Sequence, residues 1–309
     1  MRAVRIHQYG GIETLQLDQV DTPEINADDI LIKVKSSSIN PVDWKIREGY
    51  LQEFIPHKFP VTLGWDVAGV VSAVGASVAD FKVGDEVFSR PEISRDGSYA
   101  DYIAVKADEV VLKSTKLDFA QAAALPLAGI TAWQCLVDVG QLQAGQRVLI
   151  HAGAGGVGHL AIQIAKAKGA TVIATASAKN GALLTQLGAD QAVDYNQGAL
   201  LEQIEPVDLV IDTMGGAVQK ESWALLKEGG MLVSVVEPPS EEVAKEHHVK
   251  AAFVFIVPSS RILRELNTLV ENDQLTPLIE HRFSLEQISD AHLQSQSGRT
   301  RGKIIINVT

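Results

Sequence analysis

A glycine-rich segment carries the clearest chemical signal in the sequence. Residues 153–158 read GAGGVG and fit the pattern G-x-G-x-x-G, with Gly153, Gly155, Gly156, Val157 and Gly158 as candidate binding residues. Such glycines permit a tight turn, close approach of the backbone to a pyrophosphate, and close packing of a helix on a strand. The start of the following helix attracts phosphate. The segment therefore predicts a dinucleotide site; the alternative, a turn that needs glycine for packing alone, is disfavoured by four glycines in six residues.

The residues after this segment indicate which dinucleotide is bound. NAD-binding folds place an Asp or Glu about 20 residues further on, where it holds the ribose hydroxyls, but no acidic residue occurs between Gly158 and Asp190. Ser177 and Lys179 follow the second expected strand, 171–176, and a hydroxyl with an ammonium suits a 2′-phosphate. The residues favour NADPH. Lys179 alone could equally be a solvated loop lysine, so the missing acid is the stronger part of this interpretation.

Hydrophobic patterning predicts the elements that position these residues. Residues 1–113 read as short strands between turn residues, which is typical of a compact barrel or folded sheet. From 147 to 257, apolar strands alternate with helices, and this predicts a parallel sheet covered on both faces. The tail, 259–309, is expected to return to the first domain. The charged segment 241–250 is expected to be loop-like and could form a mobile flap over a site.

Several residues are interpreted as structural. Asp118 is expected to cap a helix, and Ser284 with Gln287 forms a capping-box pattern. Asp212 ends a strand and is expected to cap a turn. Cys135 lies in an apolar helical segment and is interpreted as a core thiol, because free cysteine behaves as a small apolar residue.

Composition excludes several classes of protein. The chain has 309 residues, 46% apolar and 21% charged, which fits about two globular domains. A formal net charge of −11 disfavours nucleic acid and anionic membranes as partners. The single cysteine excludes an intrachain disulfide and a Cys-rich zinc site, and it fits a reducing compartment. No apolar run approaches the ~20 residues of a membrane span. We therefore expect a cytoplasmic protein with a small-molecule partner.

Six motifs are spread over nearly the whole chain. They are INPVD at 39–43, GWDVAGVV at 64–71, VGDEV at 83–87, LPLAGITAW at 125–133, the glycine segment, and GRTRGK at 298–303. Together they resemble the medium-chain dehydrogenase/reductase superfamily. Within it, the chain is most similar to the zinc-independent NADPH:quinone oxidoreductases, the zeta-crystallin-like branch.

This resemblance implies an α/β fold with two domains. A GroES-like β-barrel domain would comprise 1–122 and 259–309, and a Rossmann domain with a doubly wound parallel sheet would comprise 123–258, with the active site in the cleft between them. The implied activity is NADPH-dependent reduction of quinones or α,β-unsaturated carbonyl compounds. The resemblance also points to a homodimer, for which the apolar strand 251–257 is the candidate surface if it lies at a sheet edge.

The resemblance further implies individual site residues. Thr131 and the glycine segment would lie near the cofactor, with Ser177, Lys179 and Tyr195 near its 2′-phosphate. The residues implied around the nicotinamide and the substrate are Asn40, Asp43, Tyr50, Met214, Val236, Phe253 and Phe255.

The chain departs from the zinc-dependent members of the superfamily. Those members carry a Cys near Asn40, a His-Glu pair at Trp65-Asp66, and often a four-Cys lobe, none of which is present here. Because Asn and Trp are not usual zinc ligands, no catalytic zinc is expected. His247 and His248 are an alternative metal pair, although adjacent residues on a charged segment rarely converge on one ion.

Hydride addition to a quinone or an enone places negative charge on an oxygen, which needs stabilisation and a proton. Asn40 offers an amide and Tyr50 a phenol, so these are the candidate catalytic residues. The alternatives are that Tyr50 forms an aromatic wall, that Asn40 is a turn residue, and that water supplies the proton. Asp43 is interpreted as fixing the local loop or a ribose hydroxyl more readily than as an acid.

Two further functions fit the same residues. One is an enoyl-thioester reductase, since pocket size cannot be read from the sequence. The other is an NADPH-binding structural or regulatory protein with little catalysis, which tight NADPH binding without turnover would identify.

Overall fold

The computed structural model describes residues 1–308, which form two compact units. The first contains Met1–Leu127, Val257–Glu271 and the described part of Pro277–Thr309, and the second contains Ala128–Ile256 and Asn272–Thr276. The domain boundaries expected from the sequence, after residues 122 and 258, lie within five residues of these. The short segment 272–276 joins the second unit instead of the first.

Strands account for most of the first unit and for the centre of the second. In chain order they are β1 (Arg2–Ile6), β2 (Gln16–Gln19), β3 (Asp29–Ile39), β4 (Val61–Thr62), β5 (Val67–Val74), β6 (Glu86–Ser89), β7 (Tyr102–Lys106), β8 (Val110–Leu112), β9 (Arg147–Ile150), β10 (Thr171–Ala176), β11 (Gln191–Asp194), β12 (Val207–Asp212), β13 (Leu226–Ser234), β14 (Lys250–Phe253), β15 (Ile279–Ser284) and β16 (Lys303–Asn307).

The α-helices are short, and no helix within residues 1–308 is long and apolar enough to cross a bilayer. In chain order they are α1 (Pro41–Arg47), α2 (Phe119–Ala123), α3 (Pro126–Trp133), α4 (Gly158–Ala167), α5 (Gly181–Gln186), α6 (Leu200–Gln203), α7 (Gly216–Ser222), α8 (Glu241–Glu246), α9 (Ser260–Glu271) and α10 (Ile288–Gln296). A π-helical segment, Gln134–Val139, continues α3.

The first unit is built around the long strand β3, which pairs antiparallel with β5, β7 and β16. A seven-stranded sheet runs in the order β15-β16-β3-β5-β6-β8, with β7 beside β3, and a three-stranded sheet runs β2-β1-β4. Ile304 of β16 lies opposite Ile39 of β3. The tail therefore completes the first unit, as expected, because its apolar strand is buried only when it pairs there.

The second unit contains a six-stranded parallel sheet in the order β11-β10-β9-β12-β13-β14. This is the order of doubly wound dinucleotide-binding folds, in which ligands bind beyond the carboxyl ends of the strands. Strands β9, β10 and β12 are continuous buried apolar runs, as a sheet covered on both faces requires. The predicted α/β fold class is thus confirmed.

The prediction of a loop at 241–250 was wrong. Glu241–Glu246 forms α8, whose first turn is capped by Ser240 Oγ, which accepts a hydrogen bond from Val243 N. Ala244 is buried against the sheet. The acidic residues that suggested a solvated flap are those that suit a helix N-terminus, where they face its partial positive charge. The adjacent strand β14 is also shorter than the 251–257 expected.

Both predicted capping patterns are present. Asp118 Oδ1 accepts a hydrogen bond from Gln121 N at 2.6 Å, so α2 begins where expected. Ser284 N donates to Gln287 Oε1 at 3.0 Å, and α10 follows a short 3₁₀ turn. These local patterns were readable because their partners lie three residues apart.

Candidate active site

The glycine segment in the second unit joins the end of β9 to the start of α4. A Cβ atom on Gly158 would lie 2.3 Å from the Ala152 carbonyl oxygen, and one on Gly153 would lie 2.9 Å from Ala174 Cβ. These two positions therefore require glycine for packing. Gly155 and Gly156 between them are only partly buried, and His159 N and Leu160 N of α4 donate to the Gly155 and Val157 carbonyl oxygens. A tight, partly open turn at the start of a helix fits a pyrophosphate.

A buried histidine, which sequence reasoning missed, supports this segment from beneath. The His151 ring lies between Thr175 and Ser222, with Nδ1 3.2 Å from Thr175 Oγ1 and Nε2 2.9 Å from Ser222 Oγ. Burial lowers the pKa of His151 to about 4. A neutral imidazole thus links β9, β10 and α7 directly below the glycine segment. The feature of the sequence that could have identified His151 was a histidine at the end of an otherwise apolar segment.

The residues predicted near the 2′-phosphate all follow the carboxyl ends of neighbouring strands. Ser177 and Lys179 come after β10, and Tyr195 comes directly after β11. These strands are parallel and adjacent, with Ala176 opposite Asp194. Lys179 and Tyr195 are exposed. The fold thus places a hydroxyl, an ammonium and a phenol at one edge of the sheet.

Asp194 is an acidic residue at this edge that the search of 158–190 did not cover. Its Oδ1 accepts hydrogen bonds from the backbone and side-chain amides of Asn196, at 3.1 and 2.9 Å. The carboxylate is therefore bonded within its own turn.

The residues predicted at the nicotinamide end also lie beyond strand ends. Met214 follows β12, Val236 follows β13, Phe253 ends β14, and Phe255 lies two residues further on. All four are exposed apolar side chains at the carboxyl edge of the sheet. Exposed apolar groups grouped at a ligand-binding edge are typical of a site that receives a flat apolar ring. Thr131, in contrast, is buried on α3.

Asp212 holds the turn that carries Met214, as expected. Its Oδ1 accepts hydrogen bonds from Met214 N at 2.9 Å and Gly215 N at 2.8 Å. Its Oδ2 accepts from Gln219 Nε2 and Ser234 Oγ. All of these donors converge on one buried carboxylate, so the turn after β12 is fixed to β13 and α7.

The first unit contains a buried polar cluster centred on Asp66. Asp66 Oδ2 accepts hydrogen bonds from Asn40 Nδ2 at 2.8 Å and from Ser38 Oγ, and Oδ1 accepts from Leu127 N at 2.7 Å. Lys303 Nζ lies 3.4 Å from Asp66 Oδ2. Sequence reasoning placed neither Asp66 nor Lys303 in a site. The signal for Lys303 was a charged residue at the start of the apolar strand β16.

Lys303 joins this cluster from the far end of the chain. Its ammonium donates to Asn40 Oδ1 and, at 3.2 Å, to the Ile39 carbonyl oxygen. Burial lowers the pKa of Lys303, against the opposing effects of Asp66 and Asp43. The amide of Asn40 is therefore held at both its oxygen and its nitrogen.

Asp43 lies beside Asn40 at the start of α1. Its Oδ2 accepts hydrogen bonds from Asn40 N and from Tyr99 Oη, both at 2.7 Å, while Oδ1 is buried without a partner. Burial raises the pKa of Asp43 to about 7. Asp43 caps α1, which agrees with the expectation that it fixes the local loop.

Tyr50 lies outside this cluster. It follows α1, its side chain is 66% exposed, and its ring meets Trp44 edge-on at 6.2 Å. A hydrogen bond to the Glu48 carboxylate raises the pKa of the phenol. The structure therefore brings Asn40 and Asp43 together and leaves Tyr50 on the surface of the same unit.

Comparison with known proteins finds a matching family for each of two parts of the chain. Residues 26–115 match the alcohol dehydrogenase GroES-like domain family, and residues 187–306 match the zinc-binding dehydrogenase family. The chain therefore belongs to the medium-chain dehydrogenase/reductase superfamily.

Within this superfamily, its relatives include quinone and alkenal reductases. It is 36% identical over 321 residues to the NADPH-dependent alkenal/one oxidoreductase, chloroplastic, of Arabidopsis thaliana, covering 99% of this chain and 79% of the relative. The quinone oxidoreductase from Coxiella burnetii superposes with a TM-score of 0.93 at 40% identity, covering 100% and 99% of the two chains. The Escherichia coli quinone oxidoreductase complexed with NADPH gives a TM-score of 0.91 at 26% identity, covering 100% of both.

The donor set at Asn40 does not fit a zinc ion, although one matching family is described as zinc-binding. The amide of Asn40 is bonded to Lys303 and Asp66. Trp65 Nε1 donates to the Arg95 carbonyl oxygen at 3.2 Å. A cationic ammonium within the cluster opposes a second cation there. In residues 1–308, no three His, Cys, Asp or Glu side chains are grouped so that they could hold a metal.

Proposed function

We propose that this protein is an NADPH-dependent, zinc-independent reductase that transfers hydride to quinones or α,β-unsaturated carbonyl compounds. The observation that carries the proposal is the glycine cradle at the start of α4, with Ser177 and Lys179 beyond the neighbouring strand. Relatives named as NADPH-dependent alkenal/one oxidoreductase and 2-methylene-furan-3-one reductase, 36% and 37% identical, support the choice of acceptor.

Each group of residues has a proposed task. Gly156, Val157 and Gly158 offer backbone N–H groups to the pyrophosphate. Gly153 N and Gly155 N donate to the Thr175 and Ala152 carbonyl oxygens, so these two glycines shape the turn. Ser177, Lys179 and Tyr195 bind the 2′-phosphate by hydrogen bonds and charge. NADPH, when bound, supplies the hydride. The residues proposed to orient the nicotinamide are Thr131, Met214, Val236, Phe253 and Phe255.

The buried cluster of the first unit is proposed to serve the acceptor. Asn40 lies at its centre with a fixed side-chain orientation, since Lys303 and Asp66 hold both ends of the amide. Asp43 fixes the start of α1, and thereby Asn40. Tyr50 and solvent water are the proposed proton sources; the phenol of Tyr50 is bonded to Glu48 and exposed.

Two further properties are proposed. The first is homodimerisation through β14, which lies at the edge of its sheet and is followed by exposed Phe255 and Val257. The second is a cytoplasmic location, which fits the single buried cysteine. Some relatives are named for the chloroplast or the mitochondrion.

The proposed function is tested by following NADPH oxidation on metal-stripped protein. A panel of ortho-quinones, para-quinones and 2-alkenals should include at least one acceptor that is turned over, and a chelator should leave the rate unchanged. Tight NADPH binding without turnover of any acceptor would contradict the proposal and favour a regulatory protein. Loss of turnover on chelation would contradict zinc independence.

A further inference from the structure

Arg90 directly follows β6 and lies beside the buried cluster. Ser89 pairs with Val67 of β5 and with Val110 of β8. Arg90 is the next residue after Ser89, and Asp66 and Glu109 are the residues next to these two partners in the chain. The charges of both carboxylates act on Arg90, so its guanidinium lies near them.

The guanidinium of Arg90 is buried without its hydrogen bonds. The residue is 2% exposed, yet Nε and Nη1 are enclosed and have no partner. Burial lowers the pKa of Arg90, against the attraction of Glu92, Asp66, Glu109 and Asp43. Unbonded donors in such a place cost free energy.

Arg47, the other deeply buried arginine of this unit, shows what a structural arginine looks like here. Arg47 is also almost fully buried. Its guanidinium donates to Glu48 Oε1 and to the Gly10 carbonyl oxygen, and Nη1 lies 3.1 Å from His292 Nδ1. Arg47 thus satisfies its donors within the protein, whereas Arg90 does not.

Two of the carboxylates near Arg90, Asp66 and Glu109, already accept hydrogen bonds from other donors. Asp66 accepts from Asn40, Ser38 and Leu127. Glu109 Oε2 accepts from Glu92 N at 3.0 Å. These carboxylates therefore attract the guanidinium without bonding to its Nε–H or Nη1–H, and these two donors are left for an oxygen atom from outside the protein.

We propose that Arg90 is a catalytic residue that binds the carbonyl oxygen of the acceptor and stabilises the negative charge on it during reduction. The inference rests on the proposed function and names the group that recognises the acceptor. The acceptors would therefore be compounds with an accessible carbonyl oxygen that is conjugated to the bond being reduced.

The electron balance of this step is simple for an enone. Hydride from the reduced nicotinamide forms a C–H bond at the β-carbon, the carbon–carbon π bond breaks, and its electron pair moves onto the carbonyl oxygen as an enolate. Arg90 keeps its own proton and donates an N–H hydrogen bond to that oxygen. Water then protonates the α-carbon, which gives the saturated ketone. Preorganised donors at a developing oxyanion commonly contribute 10²- to 10³-fold to the rate.

The test compares Arg90→Met, Arg90→Lys and Arg90→Ala with the exposed control Arg282→Met. Arg90→Met should lower kcat/KM for an enone about 100-fold or more, with the Kd for NADPH within about twofold of wild type. Arg90→Lys should retain part of the rate, and added guanidinium ion should restore turnover to Arg90→Ala. Arg282→Met should behave as wild type.

Other outcomes overturn the inference. A rate within threefold of wild type in Arg90→Met would exclude a role in catalysis. A weakened Kd for NADPH that accounts for the loss would assign Arg90 to the cofactor. Loss of rate with a lowered Tm and no rescue by guanidinium would make Arg90 a structural counterion that pairs with the free Oδ1 of Asp43. Absence of turnover by the wild-type protein would instead contradict the proposed function.

Discussion

At the scale of single residues, two cations have opposite surroundings. Lys303 is buried and bonded to Asn40 and Ile39, so it orients a neighbour. Lys179 is exposed at the end of β10, where no carboxylate occupies the position that holds the ribose hydroxyls in NAD-binding folds. An exposed ammonium at a position without a carboxylate is suited to a phosphate group, because the phosphate supplies the negative charge that pairs with it.

Lys179→Ala should therefore weaken NADPH far more than NADH. A charge-assisted hydrogen bond to phosphate is worth about 1.5–3 kcal/mol, so the Kd for NADPH should rise by about 10- to 100-fold. The Kd for NADH should change less than about twofold. Fluorescence titration of both cofactors measures this, with exposed Lys220→Ala on α7 as the matched control. Equal effects on the two cofactors would refute the phosphate role.

At the scale of elements, the glycine segment is a contact between α4 and the end of β9. Gly158 packs against backbone atoms, which cannot move aside as a flexible side chain can. Gly181, in α5 of the same unit, has open space around its Cβ position. The two helical glycines therefore differ in packing, and only the first is required by the dinucleotide pattern.

Gly158→Ala should destabilise the protein and weaken NADPH binding together. The added methyl must displace the Ala152 carbonyl, and overpacking of this kind costs about 1–3 kcal/mol. Gly181→Ala should be neutral or stabilising by up to about 1 kcal/mol, since alanine favours the helix. Denaturant unfolding and cofactor titration of both variants provide the measurement. Unchanged NADPH binding in a folded Gly158→Ala variant would contradict the proposed cradle.

The presence of most strands and helices was predictable from the sequence, because hydrophobic periodicity and capping patterns depend on residues close together in the chain. Strand β10 has the predicted bounds. The prediction of a loop at 241–250 failed because the segment is mostly charged, and the apolar contacts that hold α8 on the sheet come from only Val243 and Ala244. A four- to six-residue helix is stabilised by such tertiary contacts more than by its own sequence.

At the scale of the whole molecule, the exposed edge of the second unit's sheet needs an explanation. Within residues 1–308, strand β14 pairs with β13 alone; exposed Phe253 ends the strand, and exposed Phe255 and Val257 follow it. Unpaired strand edges with apolar side chains promote association with another chain.

Light scattering at micromolar concentration should therefore give twice the 33.2 kDa mass of one chain. Val257→Lys should shift the mass toward the monomer, because a charged residue on an edge opposes pairing. Leu201→Lys, at an exposed apolar position on α6, is the control and should leave the mass unchanged. A monomeric wild-type protein would contradict the proposed dimer.

The sequence by itself predicted the dinucleotide site and most of the order of strands and helices, because each depends on residues close together in the chain. Only the tertiary structure decided what surrounds Asn40. Lys303 lies 263 positions from Asn40 in the chain, and the two meet because β16 pairs with β3. The same holds for Arg90, whose missing partners depend on which donors already occupy Asp66 and Glu109. Side-chain hydrogen bonding between distant strands is set by register and packing, which no local pattern encodes.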